Sequence, residues 1–135
     1  MKKEEQDLLV KDISARLYYG VKVNNEIQGD FVIYGVCEDY IFVRNTNSHV
    51  DFHIEKIKPY LFPMSSMTEE QKKEFHGDVS ILNAFIDGSI SLYENEELTP
   101  EDIIEIFDFL NRNHFDYRGL IPMGLAIDAT GKNIY

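Results

Sequence analysis

The chain has 135 residues, 44% apolar and 13% aromatic, with eight Tyr, nine Phe and no Trp; this supplies one packed domain and excludes a disordered chain. Its formal net charge is −11, and its single cysteine, Cys37, excludes an internal disulfide and a multi-cysteine zinc site. No apolar run reaches membrane-spanning length, and the start, Met1-Lys2-Lys3-Glu4-Glu5, lacks a signal-peptide apolar stretch, so no membrane and a reducing cytoplasmic setting are expected.

From about Lys3 to Leu17, Leu9, Ile13 and Leu17 recur every four residues, with Leu8 and Val10 beside them. Lys, Glu and Asp fill the other side. This predicts an amphipathic helix, closed by Tyr18-Tyr19-Gly20. The period then drops to two. Val21 and Val23 begin a strand, Gln28-Gly29-Asp30 turns, and Phe31 to Val36 forms a second strand. Glu38-Asp39 turns into Tyr40 to Arg44, and Asn45-Thr46-Asn47-Ser48 into a fourth strand where Val50, Phe52 and Ile54 alternate. Glu55 to Pro59 reads as one helical turn and Tyr60-Leu61-Phe62 as a fifth strand. That order is the layout of SH3-like small barrels, whose closure hides sheet edges; an open antiparallel meander packed on the first helix fits the same pattern.

Pro63 to Met67 reads as a linker. Thr68 caps a short helix, with Gln71 completing a capping box, and the helix ends near Gly77. Val79 to Ile86 fits a helix; past Gly88, Ser89 to Tyr93 favours a strand. Thr99-Pro100-Glu101-Asp102 is the clearest helix start in the chain, with a capping hydroxyl, a first-turn proline and two acids at the positive pole. The helix runs on through Ile103, Ile104, Ile106, Phe107, Phe109 and Leu110, and is expected to be the central buried element. The tail alternates glycine with apolar residues (Gly119, Leu120, Ile121, Gly124, Leu125, Ala126, Ile127). The expected fold is α+β, one domain over 1–135. It comprises an N-terminal helix over 1–17, a small SH3-like β-barrel or antiparallel meander over 18–63, and a mainly helical acidic part over 68–135 packed on it.

Charge is uneven. Residues 1–67 carry 8 Lys/Arg against 10 Asp/Glu, or −2, and residues 68–135 carry 5 against 14, or −9. Glu94, Glu96, Glu97, Glu101, Asp102, Glu105 and Asp108 follow one another with no base between them. Such a surface repels phosphate backbones, so direct nucleic-acid binding is not expected; it attracts basic protein surfaces. The plain alternative is a solvated acidic helix face that maintains solubility.

The stretch Leu110 to Leu120 mixes aromatic rings, both charge signs, a histidine and a glycine right after an apolar helix. Burial of such a mixture demands a partner for every polar group. Extended, His114, Asp116 and Arg118 share one face, where an imidazole beside a carboxylate can act as a base and Arg118 with Tyr117 can grip a phosphate and stack on a base. The competing reading is structural: His114 ends the helix, and Asp116 and Arg118 pair or cap backbone groups. His49, Asp51 and His53 alternate on the fourth strand; two imidazoles and a carboxylate on one face can hold a divalent metal, but a merely exposed polar face is preferred and no metal is expected. No serine or cysteine stands in a nucleophile motif, Cys37 beside Glu38-Asp39 is a poor thiolate, and the glycines form no phosphate loop. No cofactor is implied. Tyr18, Tyr19 and Tyr60 flank the strand region and point to one exposed aromatic patch, while most other rings belong to the core.

Two groups of strings carry a resemblance. One is Ile57-Lys58-Pro59-Tyr60-Leu61-Phe62-Pro63-Met64-Ser65-Ser66-Met67-Thr68-Glu69-Glu70. The other comprises Phe109-Leu110-Asn111, His114-Phe115-Asp116-Tyr117-Arg118-Gly119-Leu120-Ile121 and Gly124-Leu125-Ala126. Together they cover roughly a third of the chain, and with them it resembles a family of short proteins from gut Bacteroides-group bacteria and their phages and mobile elements. Phe109 stands where many relatives have Trp. The resemblance implies a phage or prophage accessory gene acting in a bacterial cytoplasm, and no reaction. Two functional classes follow. The first is a non-enzymatic module that binds a host or phage protein through its acidic surface, an inhibitor of a host system included. The second is a protein that sequesters a nucleotide-like small molecule, or a weak enzyme, built on His114, Asp116, Tyr117 and Arg118.

Overall fold

The computed structural model describes residues 1–91 and 98–135. Helix α1 (Lys3–Arg16) sets Glu4 and Glu5 at its positive pole and Arg16 at its negative one. A 3-10 turn over Leu17–Tyr19 leads to Gly20, whose φ of 69° makes the left-handed exit that its sequence position anticipates.

The strands follow the predicted alternation: β1 (Lys22–Asn25), β2 (Gly29–Cys37), β3 (Tyr40–Arg44) and β4 (His49–His53). After a 3-10 turn over Ile54–Lys56 comes β5 (Lys58–Leu61). A further strand, β6 (Ile127–Asp128), lies near the end of the chain and pairs in parallel with β5. The result is an open mixed sheet of order β4-β3-β2-β1-β5-β6. β1 to β4 form the antiparallel meander, β5 returns to β1, and β4 is not hydrogen-bonded to β5.

One face of this sheet is core. Val23 stands opposite Phe31, Ile33 opposite Val43, and Ile41 opposite both Val36 and Phe52. Leu9 and Ile13 of α1 lie fully buried in the same cluster, with Val21, Ile54, Ile57 and Leu61. Burial of each such side chain contributes roughly 1.5–3 kcal/mol, which fixes the helix more firmly than its intrinsic propensity. The register of β2 shifts between Ile33 and Gly35, turning Tyr34 to solvent. At Gly35 a Cβ would stand 3.2 Å from the Phe42 ring, so only glycine admits that close approach without displacement.

A second cluster sits beyond β5. Helices α2 (Glu69–Lys73), α3 (Val79–Ile86) and α4 (Pro100–Arg112) gather Met67, Leu82, Ile106, Phe109, Leu110 and Phe115. Thr68 with Gln71, and Thr99 with Asp102, make reciprocal capping boxes, and Asp78 caps α3.

Three expectations need correction. Ser89 to Ser91 form no strand, and Leu92 and Tyr93 lie outside the described residues. Helix α4 is not a central buried element: Ile104 is 58% exposed, and only Ile106, Phe109, Leu110 and Asn111 are buried on it. It lies on the outside of the second cluster, because acids at every turn of one face hold that face in water. Residues 113–135 are not helical; they run through turns that return Leu120, Leu125 and Ala126 to the sheet core before β6. No described helix is long and apolar enough to cross a membrane.

Candidate functional site

The two clusters meet at a buried ionic node. Asp12 and Arg16, one turn apart on α1, are both 0% exposed. Arg16 Nε donates to Asp12 Oδ2 at 2.9 Å and Nη2 to Oδ1 at 3.1 Å, a two-pronged pair. The same Nη2 donates to the Phe115 carbonyl at 2.6 Å, and Nη1 reaches the Leu110 carbonyl at 3.5 Å. Arg16 therefore ties α1 to the end of α4 and to the chain that leaves it. Its guanidinium stands 5.1 Å from the centre of the Tyr117 ring, and that of Arg118 stands 5.0 Å from the same ring. Arg118 Nε also lies 3.4 Å from Asp12 Oδ1. One carboxylate thus faces two guanidiniums with a tyrosine ring near both.

Sequence reasoning missed Asp12 and Arg16. The signal was present: Leu9, Asp12, Ile13 and Arg16 fall at i, i+3, i+4 and i+7, so a charged pair stood in the stripe that must face the core.

The segment proposed to bind a ligand is drawn into this node, mostly by its backbone. Phe62 N–H donates to the His114 carbonyl at 2.8 Å and Asp116 N–H to the Phe62 carbonyl at 2.8 Å, so the segment extends the sheet past β5. His114 has a φ of 61°, a left-handed conformation that histidine tolerates better than most residues. Its ring stacks on Tyr135 at 3.8 Å between centroids and 13° between planes. Burial, then the charges of Arg16 and Lys22, push its pKa down to about 4. Asp116 is buried, and its two oxygens accept the N–H groups of Leu120 (2.8 Å) and Ile121 (2.9 Å). Tyr117 donates its hydroxyl to Asn111 Oδ1 at 2.8 Å. The four side chains are neighbours in sequence but turn to different partners: Asp116 caps a turn, His114 faces Tyr135, and Tyr117 and Arg118 face α1.

Tyr135 and Lys22 are further members that the sequence did not reveal. The Tyr135 hydroxyl donates to the Tyr60 carbonyl at 2.8 Å and accepts from Lys22 N–H at 2.9 Å, while Lys22 Nζ donates to the Ile134 carbonyl. Tyr60 is itself buried and donates to Asp30 at 2.7 Å; burial and that carboxylate push its pKa up to about 12.

The acidic candidates divide. Glu101, Glu105 and Asp108 are exposed on one face of α4, with Ile104 among them. Asp102 is half-buried and accepts from Thr99 N–H at 3.0 Å, so it belongs to the cap. Glu94, Glu96 and Glu97 lie outside the described residues. Among the described residues, Glu101, Glu105 and Asp108 have no Lys or Arg partner. A groove of about 130 Å³ separates α4 from the chain leaving α2. Glu74, Glu105 and Asp108 line it together with His76, Arg112, Phe75 and Phe109, and the two phenylalanine rings meet edge to face at 5.2 Å. Carboxylates around aromatic rings suit a guanidinium or ammonium group, and the volume suits one side chain rather than a drug-sized ligand, which needs roughly 300 Å³ or more.

A wider depression of about 330 Å³ lies between the β1–β2 turn and the β4–β5 connection. Its central amide, Asn25, already binds Ile27 N–H, Gln28 N–H and the Lys56 carbonyl. His49, Asp51 and His53 share the outer face of β4 as alternation requires, and among the described residues no group of three such side chains is placed to hold a metal. His49 and His53 instead meet Tyr34 (5.8 Å) and Tyr40 (5.4 Å) edge to face. Tyr34 (45% exposed) and Tyr40 (48%) join the exposed Tyr18 as surface rings, whereas Tyr60 is buried. Cys37 is an exposed free thiol at the end of β2. No protein-family model, curated protein or solved structure matches the chain.

Proposed function

We propose that the protein is a non-enzymatic interaction module that docks a basic segment of a host or phage protein on the outer face of α4. It is an accessory phage or prophage protein of the bacterial cytoplasm, in keeping with the resemblance its strings carry, and an inhibitor of the partner it occupies. The observation that carries the reading is the set of unpaired carboxylates at Glu105 and Asp108 beside the aromatic groove. Residues 68–135 hold −9 of the −11 net charge, so the long-range field favours a cationic partner. The order β4-β3-β2-β1-β5, with a 3-10 turn before β5, supports an SH3-like reading of 18–63 as the platform behind this face.

A nucleotide-sized ligand has less support. Arg118 is turned to Asp12 and Tyr117, and Asp116 is saturated by backbone N–H groups.

The test uses a nine-residue arginine peptide as probe, followed by amide chemical shifts. Perturbations are expected at Phe75, Glu105, Asp108 and Phe109, with affinity falling at least tenfold between low and high salt. The double variant Glu105→Lys, Asp108→Lys removes the response while leaving the fold intact, since both side chains are exposed. Equal binding by that variant, or binding indifferent to salt, refutes the proposal.

A further inference from the structure

We propose that the free edge of β4 is a second docking site, which takes an extended peptide segment of alternating apolar and basic residues as an added strand. The site is separate from the α4 face: β4 is one edge of the sheet, and the helical cluster packs beyond β5 towards the other edge.

The hydrogen-bond phase of β4 sets the geometry. Asn45 N–H donates to the Ser48 carbonyl and Ile54 N–H to the Asp39 carbonyl, so the bonded pairs run through Val43–Val50 and Ile41–Phe52. The backbone groups of Ser48, Val50, Phe52 and Ile54 therefore face β3. Those of His49 and Asp51 and the N–H of His53 face outward, while the His53 carbonyl caps the 3-10 turn over Ile54–Lys56. Three N–H groups and two carbonyls stand in a row, in phase to bind another strand. The edge carries few of the devices that block such pairing: β4 has no proline, no lysine and no bulge.

The two faces of the edge specify the occupant. On the core side, Val50 and Phe52 are only half-buried, so their rims are open to apolar side chains of an added strand. On the outer side, Asp51 is exposed, has no ion-pair or hydrogen-bond partner among the described residues, and stands between His49 and His53. A basic residue opposite Asp51 is complementary there, and the −11 net charge favours the same sign. A second copy of β4 fits poorly. Antiparallel pairing over all five residues sets Asp51 against Asp51 and His49 against His53; shifting by two residues cures the charges but leaves only three residues paired.

The probe is a blocked peptide, Ser-Thr-Val-Lys-Val-Thr-Ser, with a control carrying Glu in place of Lys. Hydrogen exchange of the full chain is followed by NMR. In the free protein, His49, Asp51 and His53 amides should exchange fast and Val50 and Phe52 slowly. Saturating Lys peptide should slow the first three at least tenfold, and the Glu peptide should bind at least tenfold more weakly. Asp51→Pro removes one outward donor and no inward one, and should abolish binding while Val50 and Phe52 keep their protection. Asp51→Lys should reverse the preference between the two peptides, which holds the test even if the proline disturbs the strand. Unchanged exchange at all three amides in the presence of the peptide overturns the proposal, as does full binding by Asp51→Pro. Concentration-dependent dimerisation that Asp51→Pro abolishes, without peptide protection, assigns the edge to a second copy and overturns it too.

Discussion

Separating Asp12 from Arg16 is the most revealing perturbation of this fold, because the pair is fully buried and joins three elements. Replacing Asp12 with Leu leaves Arg16 and Arg118 facing each other with no carboxylate between them. Breaking a buried pair in this way costs about 3–5 kcal/mol, and the second guanidinium puts Asp12→Leu at the upper end. Arg16→Met leaves Asp12 with Arg118, 3.4 Å away, as a partial replacement, and removes the charged donor from the Phe115 carbonyl, which keeps only the Tyr117 N–H at 3.1 Å. Its cost falls near the lower end, about 3 kcal/mol. The double variant Asp12→Leu, Arg16→Met exchanges the pair for packed apolar groups and should recover most of the loss, since such swaps are often neutral. Urea unfolding with linear extrapolation measures all three. With a total stability of about 5–15 kcal/mol for a chain of this size, the singles should unfold at visibly lower urea. A loss below about 1 kcal/mol for Asp12→Leu, or a double variant as unstable as the sum of the singles, refutes the claim that the pair acts as one unit.

Three further outcomes are expected. The pKa of His114 is held near 4 in the fold against an ordinary 6.5, so the neutral ring is the native form; stability is full above about pH 6.5 and falls by about 2–3 kcal/mol as the pH drops to 4. His114→Phe should flatten that decline whatever its absolute cost, and an unchanged slope in urea unfolding across the range counts against the assignment. Asp116→Ala orphans the N–H groups of Leu120 and Ile121 and should cost about 2–3 kcal/mol by the same assay, a loss under 0.5 kcal/mol being incompatible with the capping role. Thr99→Ala removes the cap of α4 and should cost about 1 kcal/mol, read as a lower thermal midpoint.

The first half of the chain was legible because its signals are local. Period-two alternation with turn residues between runs placed β1 to β5, and hydroxyl caps placed the starts of α2 and α4. Closure of the sheet was not legible, since it depends on whether β4 reaches β5, which no local pattern encodes. β6 was missed because Ile127–Asp128 pairs in parallel with a strand 67 residues earlier in its register, Tyr60 with Ile127 and Leu61 with Asp128. Helix α4 misled because Ile103, Ile104 and Phe107 make it apolar over more than half its girth, which suggested a central buried element. The acids at positions 101, 105 and 108 fall on one face and decide its orientation. In the candidate site, the mixed composition of residues 110–120 correctly marked a place where polar groups need partners. The partners themselves, Asp12, Arg16, Phe62 and Tyr135, come from distant parts of the chain.

The placement of the arginines explains why so acidic a surface persists on α4. Each of the four stands over a tyrosine ring: Arg16 and Arg118 over Tyr117, Arg44 over Tyr34, and Arg112 over Tyr19. Arg112 follows Asp108 by four residues on the same helix, the spacing at which an ion pair forms readily. It makes no such pair, and its guanidinium lies 5.9 Å from the Tyr19 ring. Arg112 thus lines the groove beside the acids but leans on the Tyr19 ring, and neither Glu105 nor Asp108 has an ion-pair partner among the described residues. Had solubility been the only requirement, charge on any face would serve, with Arg112 left to Asp108. Replacing Tyr19 with Ala releases that guanidinium. If it then folds back on Asp108, binding of the arginine peptide should weaken about twofold or more, with no residue of the groove altered. Undiminished binding would mean that the Tyr19 ring does nothing to keep the acidic face open.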